Sequence, residues 1–129
     1  MNLLVEYANK IGLAHFVHFA GSHLDVRKFY YTADMFTLTS NSETFSLSAL
    51  EAMAFCLPCS LTSVGGATEM MIEGITGQLS MPENPMSIAH SWYKILTSNI
   101  NGNRIRQHVV DNFNATKMLQ QYIYLVGES

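Results

Sequence analysis

Short β-rich apolar runs alternate with helical stretches along most of this 129-residue chain, and this alternation constrains the fold more than any other feature. The first two runs are 16–20 (FVHFA) and 35–39 (MFTLT), with a helical pattern over 25–32 between them. Two more strands are predicted at 59–62 and around 77–79. Parallel strands are joined by helical crossovers and are covered by helices on both faces. We therefore predict an α/β fold with a Rossmann-like parallel sheet of about four strands.

The rest of the chain is predicted to be helical. Gly12 follows the first apolar helical pattern, where a glycine commonly ends a helix. The chain after Pro82 and Pro85 carries only helical patterns, so we expect an all-helical C-terminal end and a single domain over 1–129. In the helix at 45–55, the buried stripe is predicted to be Leu47, Leu50, Met53 and Ala54. The predicted helices outside the 25–32 stretch are 3–11, 45–55, 67–73, 86–97, 103–112 and 115–126.

Charge and hydropathy exclude several classes of partner. The formal net charge is −3, without the clustered basic surface that nucleic acid requires. No apolar run approaches the roughly 20 residues that cross a bilayer. The N-terminal residues do not have the pattern of an export signal, so we expect a cytoplasmic protein with reduced thiols. His15 and His18 lack further ligands around them, and no metal site is predicted.

Cys56 and Cys59 have the Cys-x-x-Cys spacing of thioredoxin-like redox motifs. In such motifs a strand precedes the cysteines and a helix follows, which lowers the pKa of the first thiol. Here a helix precedes the cysteines and a strand follows. We interpret the pair as apolar packing, and keep redox chemistry as an alternative.

Two glutamates stand near the end of the second predicted strand. Glu43 lies in the loop that leaves the strand, and Glu51 lies on the following helix. The first turn of that helix has free N–H groups at about Phe45, Ser46 and Leu47, which suit sugar hydroxyls or diphosphate oxygens. A carboxylate accepts two hydrogen bonds from a vicinal diol. The two glutamates are therefore candidates to bracket a sugar and a ribose.

An ordered set of short motifs spans nearly the whole chain and resembles the group 1 retaining glycosyltransferases. These enzymes have two Rossmann-like domains (the GT-B architecture), and the resemblance is to the C-terminal domain, which binds the donor. The motifs are VHFAG (17–21), FYYTAD (29–34), TS (39–40), ETFSL (43–47), LEAMA (50–54), LP (57–58), VGGATE (64–69) and GITG (74–77). The resemblance implies that Glu43 is catalytic and contacts the donor sugar, and that Glu51 binds the ribose. It implies further substrate-binding positions at Gly21, Ser40, Phe45, Ser46, Leu47, Gly65 and Gly66.

The activity that the resemblance implies is metal-independent transfer of a hexose, with retention, from a nucleotide-diphospho-sugar to a glycan or lipid acceptor. No cofactor is expected. The acceptor would bind through an N-terminal domain, in polysaccharide biosynthesis, with peripheral membrane association of an intact enzyme. His23 lies where the family contacts the nucleotide base, although a simple loop histidine is the alternative.

The chain departs from the family pattern at two glycine positions and at its start. Ser46 and Cys56 replace glycines, so a narrowed donor site and a strained turn are expected. The first two strands of the family domain and their basic pair have no counterpart in this sequence, and no Lys or Arg occurs between Lys28 and Lys94. We expect a site with only backbone dipoles and carboxylates, and an inactive isolated chain. The alternative function is a non-catalytic binding or assembly module that retains the fold.

The missing strands have a structural consequence. In the resembled topology they lie between the strand at 16–20 and the strand at 35–39. Exposed edges of apolar strands pair with other chains. We therefore expect a rearranged sheet or a homodimer joined through these edges.

Overall fold

The computed structural model describes the backbone of residues 2–127, with the side chains there except at residues 2, 121 and 125–127. Three strands are described: β1 (Phe36–Leu38), β2 (Cys59–Thr62) and β3 (Gly77–Ser80). A short 3₁₀ helix spans Ala14–Phe16. The α-helices are α1 (Asn2–Lys10), α2 (Arg27–Thr32), α3 (Leu47–Ala54), α4 (Ala67–Met70), α5 (Pro85–Thr97), α6 (Gly102–Asn112) and α7 (Ala115–Gly127).

The three strands form one parallel sheet in the order β1-β2-β3, which confirms the predicted α/β class. Cys59 of the central strand lies opposite Phe36 on one side and Gly77 on the other. All four residues of β2 are buried, as expected for a strand covered on both faces. Gly77 allows a close approach, since a Cβ there would stand 1.8 Å from the carbonyl oxygen of Cys59.

The prediction of a strand at 16–20 is wrong, and the described sheet has three strands rather than about four. The chain forms a 3₁₀ helix up to Phe16 and then continues without a ladder partner among the described residues. Apolar sequence alone does not make a strand, because its N–H and C=O groups need a neighbouring strand. Phe16 is 84% exposed, which is consistent with a segment that lacks a neighbour.

The two faces of the sheet are covered by different helices. Cys59 and Leu61 belong to the apolar core that includes residues of α3 and α6. The side chain of Ser60 points the other way, toward α5, where its hydroxyl lies 2.8 Å from the hydroxyl of Ser91. The core cluster consists of Ala49, Ala52, Met53, Leu57, Cys59, Leu61, Ala67, Met70, Met71 and Ile105.

The buried stripe of α3 differs from the predicted one. Ala49, Ala52 and Met53 are buried, whereas Leu47 is 69% exposed. Leu47 precedes Ala49 by two positions, and residues two apart lie on opposite sides of a helix, at roughly 200°. Leu47 was therefore wrongly assigned to the core, while Leu50 and Ala54 are half-buried at its margin.

The C-terminal end is helical, as predicted, and asparagines are the N-caps of its first two helices. Asn84 caps α5 by accepting a hydrogen bond from the N–H of Ser87, and Pro85 follows as the first helical residue. Asn101 caps α6 by accepting from the N–H of Asn103. Over the described residues, none of the helices has the length and apolar character needed to cross a membrane.

Candidate functional site

The loop after β2 packs tightly against the loop after β1. The N–H of Gly66 donates to the carbonyl oxygen of Thr44 at 2.8 Å. A Cβ at Gly65 would stand 1.6 Å from the carbonyl oxygen of Glu43, and Gly65 has a positive φ of 50°. Only glycine permits this backbone approach without a shift of the chain. The structure therefore places Gly65 and Gly66 directly beside Glu43.

A narrow cleft of about 10 Å³ lies between these loops at the carboxyl ends of β1 and β2, with room for no more than about one water molecule. Ser40, Glu43 and Ser46 line it together with Thr62 and Val64. The Thr62 hydroxyl donates to the carbonyl oxygen of Ser40 at 2.6 Å, which ties the two strand ends together. Glu43 is half-buried, and one of its oxygens accepts the N–H of Thr44 at 3.1 Å. This edge of a parallel α/β sheet is where ligands bind in such folds.

Helix α3 begins beside this cleft, and Ser46 is its N-cap. The Ser46 hydroxyl accepts from the N–H of Ala49 at 3.2 Å, with Ser46 at a φ of −89°. That conformation does not require glycine, so the serine causes no backbone strain, and its hydroxyl is used inside the fold. Within residues 2–127, the N–H groups of Phe45, Ser46 and Leu47 donate to no other protein group. Phe45 and Leu47 are exposed, whereas Ser46 is buried.

Glu51 lies in a second, larger cleft of about 480 Å³, between α3 and the start of α2. Its carboxylate is exposed and accepts a hydrogen bond from the Tyr30 hydroxyl at 3.2 Å. Partial burial, together with the nearby Glu51 carboxylate, raises the pKa of Tyr30 above its ordinary value. The phenol is therefore a neutral donor at physiological pH. The cleft is lined by Leu24, Asp25, Val26, Arg27, Tyr30, Glu51 and Phe55.

Arg27 brings a cation into the cleft that Glu51 lines. Its guanidinium donates to Asp25 through Nε at 2.9 Å and Nη2 at 2.8 Å, and its backbone N–H donates to the same carboxylate. These hydrogen bonds and the charge of Arg27 lower the pKa of Asp25 to about 2. Arg27 is the first residue of α2 and directly precedes Lys28, where the stretch without Lys or Arg begins.

The other predicted substrate-binding residues do not all line the same cleft. The side chains of Phe45 and Leu47 line a third cleft of about 400 Å³ beside Phe113 and Met118. Gly21 has a positive φ of 76° in the exposed loop before α2 and does not line any of the three clefts. The structure thus brings together Ser40, Glu43, Ser46 and the glycine loop, and places Glu51 in the next cleft.

The two cysteines do not have the properties of a redox pair. Both thiols are free, and Cys59 is buried in the core. Burial raises the pKa of the Cys59 thiol to about 12, whereas a reactive thiol needs a lowered pKa. Cys56 occupies the left-handed region at a φ of 67°, as the replacement of a glycine in a tight turn implies. The cysteines are best explained by local structure.

The parallel sheet and its carboxyl-edge clefts define a Rossmann-like domain of the GT-B class. The structure superposes on sucrose-phosphate synthase from Thermosynechococcus elongatus with a TM-score of 0.83 and 28% identity, over 98% of this chain and 34% of that one. It also superposes on Anabaena Alr3699/HepE, solved in complex with UDP-glucose, with a TM-score of 0.84 and 21% identity, over 99% of this chain and 36% of that one.

Residues 2–112 match the family model for group 1 glycosyl transferases. The chain belongs to this family. It is 30% identical over 124 residues to the N-acetyl-alpha-D-glucosaminyl L-malate synthase of Bacillus anthracis, an alignment that covers 92% of this chain and 32% of that protein. The chain therefore spans about a third of the length of that relative.

Proposed function

We propose that this chain binds a nucleotide-diphospho-sugar as the donor half of a retaining, metal-independent hexosyltransferase. The observation that carries the proposal is the start of α3, where three unpaired N–H groups lie between Glu43 and Glu51. A helix N-terminus with free N–H groups binds phosphate and hydroxyl oxygens. The likeness to a structure that holds UDP-glucose supports the same class of ligand.

Each polar group has a proposed role. Glu51 binds the ribose diol from the larger cleft, and Glu43 contacts the transferred sugar at the mouth of the narrow cleft, which is itself too small to hold a sugar. The amides of Phe45, Ser46 and Leu47 hold diphosphate or sugar oxygens. Gly65 and Gly66 are proposed to support the sugar site indirectly, because only residues without a side chain let their loop pack against residues 43–45. Ser40, just after β1, completes this set. Gly21 stays a proposed contact on the family resemblance alone, since it lies in the exposed loop before α2 and lines none of the three clefts.

The complete reaction is proposed for a longer polypeptide. There, an N-terminal domain would bind a glycan or lipid acceptor, and two further strands with a basic pair would neutralise the leaving diphosphate. Such an enzyme would act in polysaccharide biosynthesis in the cytoplasm, with peripheral association to a membrane. In the isolated chain Arg27 is already paired with Asp25, so we expect little stabilisation of the leaving group and no measurable transfer.

Titration calorimetry with uridine, guanosine, adenosine and thymidine diphospho-sugars tests the donor role. We expect saturable binding to at least one of them. Glu51→Ala should weaken it at least about tenfold, because hydrogen bonds to a charged group contribute about 1.5–3 kcal/mol. Glu6→Ala, which removes an exposed glutamate from α1, is the matched control and should leave affinity unchanged. Equal effects of the two substitutions would refute the role of Glu51.

A second candidate function is a non-catalytic module that keeps this fold for assembly. The strained turn at Cys56 and the pairing of Arg27 with Asp25 favour it, since both depart from what an efficient donor site needs. The same titrations distinguish the two functions. Absence of binding at millimolar concentrations of every diphospho-sugar is the result that the second candidate predicts.

We also propose that two copies associate through the free edge of β1. In the described sheet only β2 pairs with β1, which leaves the other edge of this apolar strand open. Open apolar edges pair with other strands. Multi-angle light scattering should therefore show a mass that approaches the dimer as concentration rises. A constant monomer mass up to high concentration would contradict this association.

A further inference from the structure

We infer that Tyr30 is a positioning residue, which orients the Glu51 carboxylate so that one oxygen faces the ribose of the bound nucleotide. The inference rests on the proposed donor role of Glu51 and assigns a second residue to the same subsite. Tyr30 and Glu51 come from different helices, α2 and α3, and both line the 480 Å³ cleft.

The geometry leaves one carboxylate oxygen held and the other available. The Tyr30 hydroxyl lies 3.2 Å from Oε2 of Glu51, and 3.4 Å from the carbonyl oxygen of Ser48. No other hydrogen bond to the Glu51 carboxylate is formed within the described part of the chain. A glutamate on an exposed helix face samples several rotamers, and a diol-binding carboxylate must be ordered before or during binding. The phenol reduces that ordering cost.

The Tyr30 ring is itself fixed by aromatic packing, which makes it a suitable anchor. Its centroid lies 5.3 Å from that of Phe55 and 6.3 Å from that of Phe36, both in tilted geometry. Tyr30 is half-buried and packs against the core cluster. The hydroxyl is therefore presented to Glu51 from a rigid support. By contrast, the neighbouring Tyr31 is mostly exposed and does not line the cleft.

The test uses Tyr30→Phe, which keeps the ring and its packing and removes only the hydroxyl. Binding of UDP, GDP and ADP is measured by calorimetry, each beside its 2′,3′-dideoxy counterpart. We expect the variant to bind the ribonucleotide about three- to tenfold more weakly and the dideoxynucleotide unchanged, as for loss of one hydrogen bond of about 1 kcal/mol. Tyr31→Phe is the matched control and should leave both affinities unaltered.

The dideoxynucleotide separates positioning from general structural damage. A distorted cleft would weaken both ligands equally, and that result would overturn the inference. So would a preference for ribonucleotides that survives Tyr30→Phe, because Glu51 would then bind the diol without the phenol. In a Glu51→Gln background the effect of Tyr30→Phe should largely disappear. If the wild-type chain does not prefer ribonucleotides, the proposed role of Glu51 itself fails, and this inference with it.

Discussion

Cys56 stands where the family pattern has a glycine, and its backbone conformation shows the effect of this replacement. It follows α3 at a φ of 67°, in the left-handed region that glycine occupies without strain. A side chain in this region costs of order 1 kcal/mol or more because Cβ crowds the backbone. The turn is retained because Leu57, just after it, is buried in the core. The strain expected from the sequence is thus present at this position, whereas Ser46 carries none.

Replacing Cys56 by glycine should stabilise the chain by about 1 kcal/mol, since it removes the left-handed strain. Urea unfolding followed by circular dichroism measures this as a higher midpoint at unchanged slope. Cys56→Ala keeps Cβ and should give no such gain. An equal rise for the two variants would show that loss of the thiol, and not the backbone conformation, is responsible.

At the scale of single residues, the sequence indicated which residue types could bind a ligand, but it did not indicate where each side chain lies in the fold. Glu43, Glu51 and the glycine loop were predicted from spacing and from family resemblance, and their nearness follows from the carboxyl edge of the sheet. Arg27 was missed as a cleft residue although it lies in the predicted helix at 25–32, because a helical pattern does not show which cleft the first residue of α2 will line. Tyr30 and Glu51 are 21 positions apart and lie on different helices, so no local sequence pattern predicts their contact.

At the scale of elements, two apolar runs of similar composition were both predicted to be strands, but only one of them forms a strand. The run at 59–62 was predicted within its observed limits, because Pro58 precedes it and the strand is paired on both sides. The run at 16–20 has comparable composition but lacks a neighbour in the described sheet. A strand is defined by its partners, so local sequence cannot distinguish these cases. The helices predicted at 86–97 and 103–112 begin within one residue of α5 and α6, which Asn84 and Asn101 cap, whereas the helix predicted at 67–73 ends at Met70.

The buried position of Cys59 in strand β2 predicts a loss of stability at alkaline pH. Burial raises the pKa of this thiol from 9.0 to about 12. Between these values the unfolded thiol is ionised while the folded one keeps its proton, so the free energy of unfolding falls as pH rises. The slope is at most about 1.4 kcal/mol per pH unit.

Unfolding by urea between pH 9 and pH 11 measures this contribution. The free energy of unfolding of Cys59→Ala should fall less steeply over that range than that of the wild type. The other titrating groups contribute equally to the pH dependence of both proteins. The comparison concerns slopes, because the substitution also removes packing at every pH. Parallel curves for the two proteins would show that the Cys59 thiol does not resist ionisation in the fold.

At the scale of the whole molecule, three clefts meet around helix α3. The narrow cleft contains Glu43, the 480 Å³ cleft contains Glu51, and the third is lined by Phe45 and Leu47. The N-cap of α3 lines the narrow cleft, its first turn lines the third cleft, and Glu51 in its second turn lines the 480 Å³ cleft. We propose that a nucleotide-diphospho-sugar lies across the start of α3, with its ribose toward Tyr30 and its sugar toward the glycine loop.

The most direct test of this claim is an NMR titration of the ¹⁵N-labelled chain with the diphospho-sugar that binds in calorimetry. The account predicts the largest amide shifts at Phe45, Ser46 and Leu47, with further shifts near Tyr30, Glu51 and Gly66. The amides of α5, on the opposite face of the sheet, should change little. Shifts concentrated on α5, or an absence of shifts in the first turn of α3 at saturating ligand, would contradict the account.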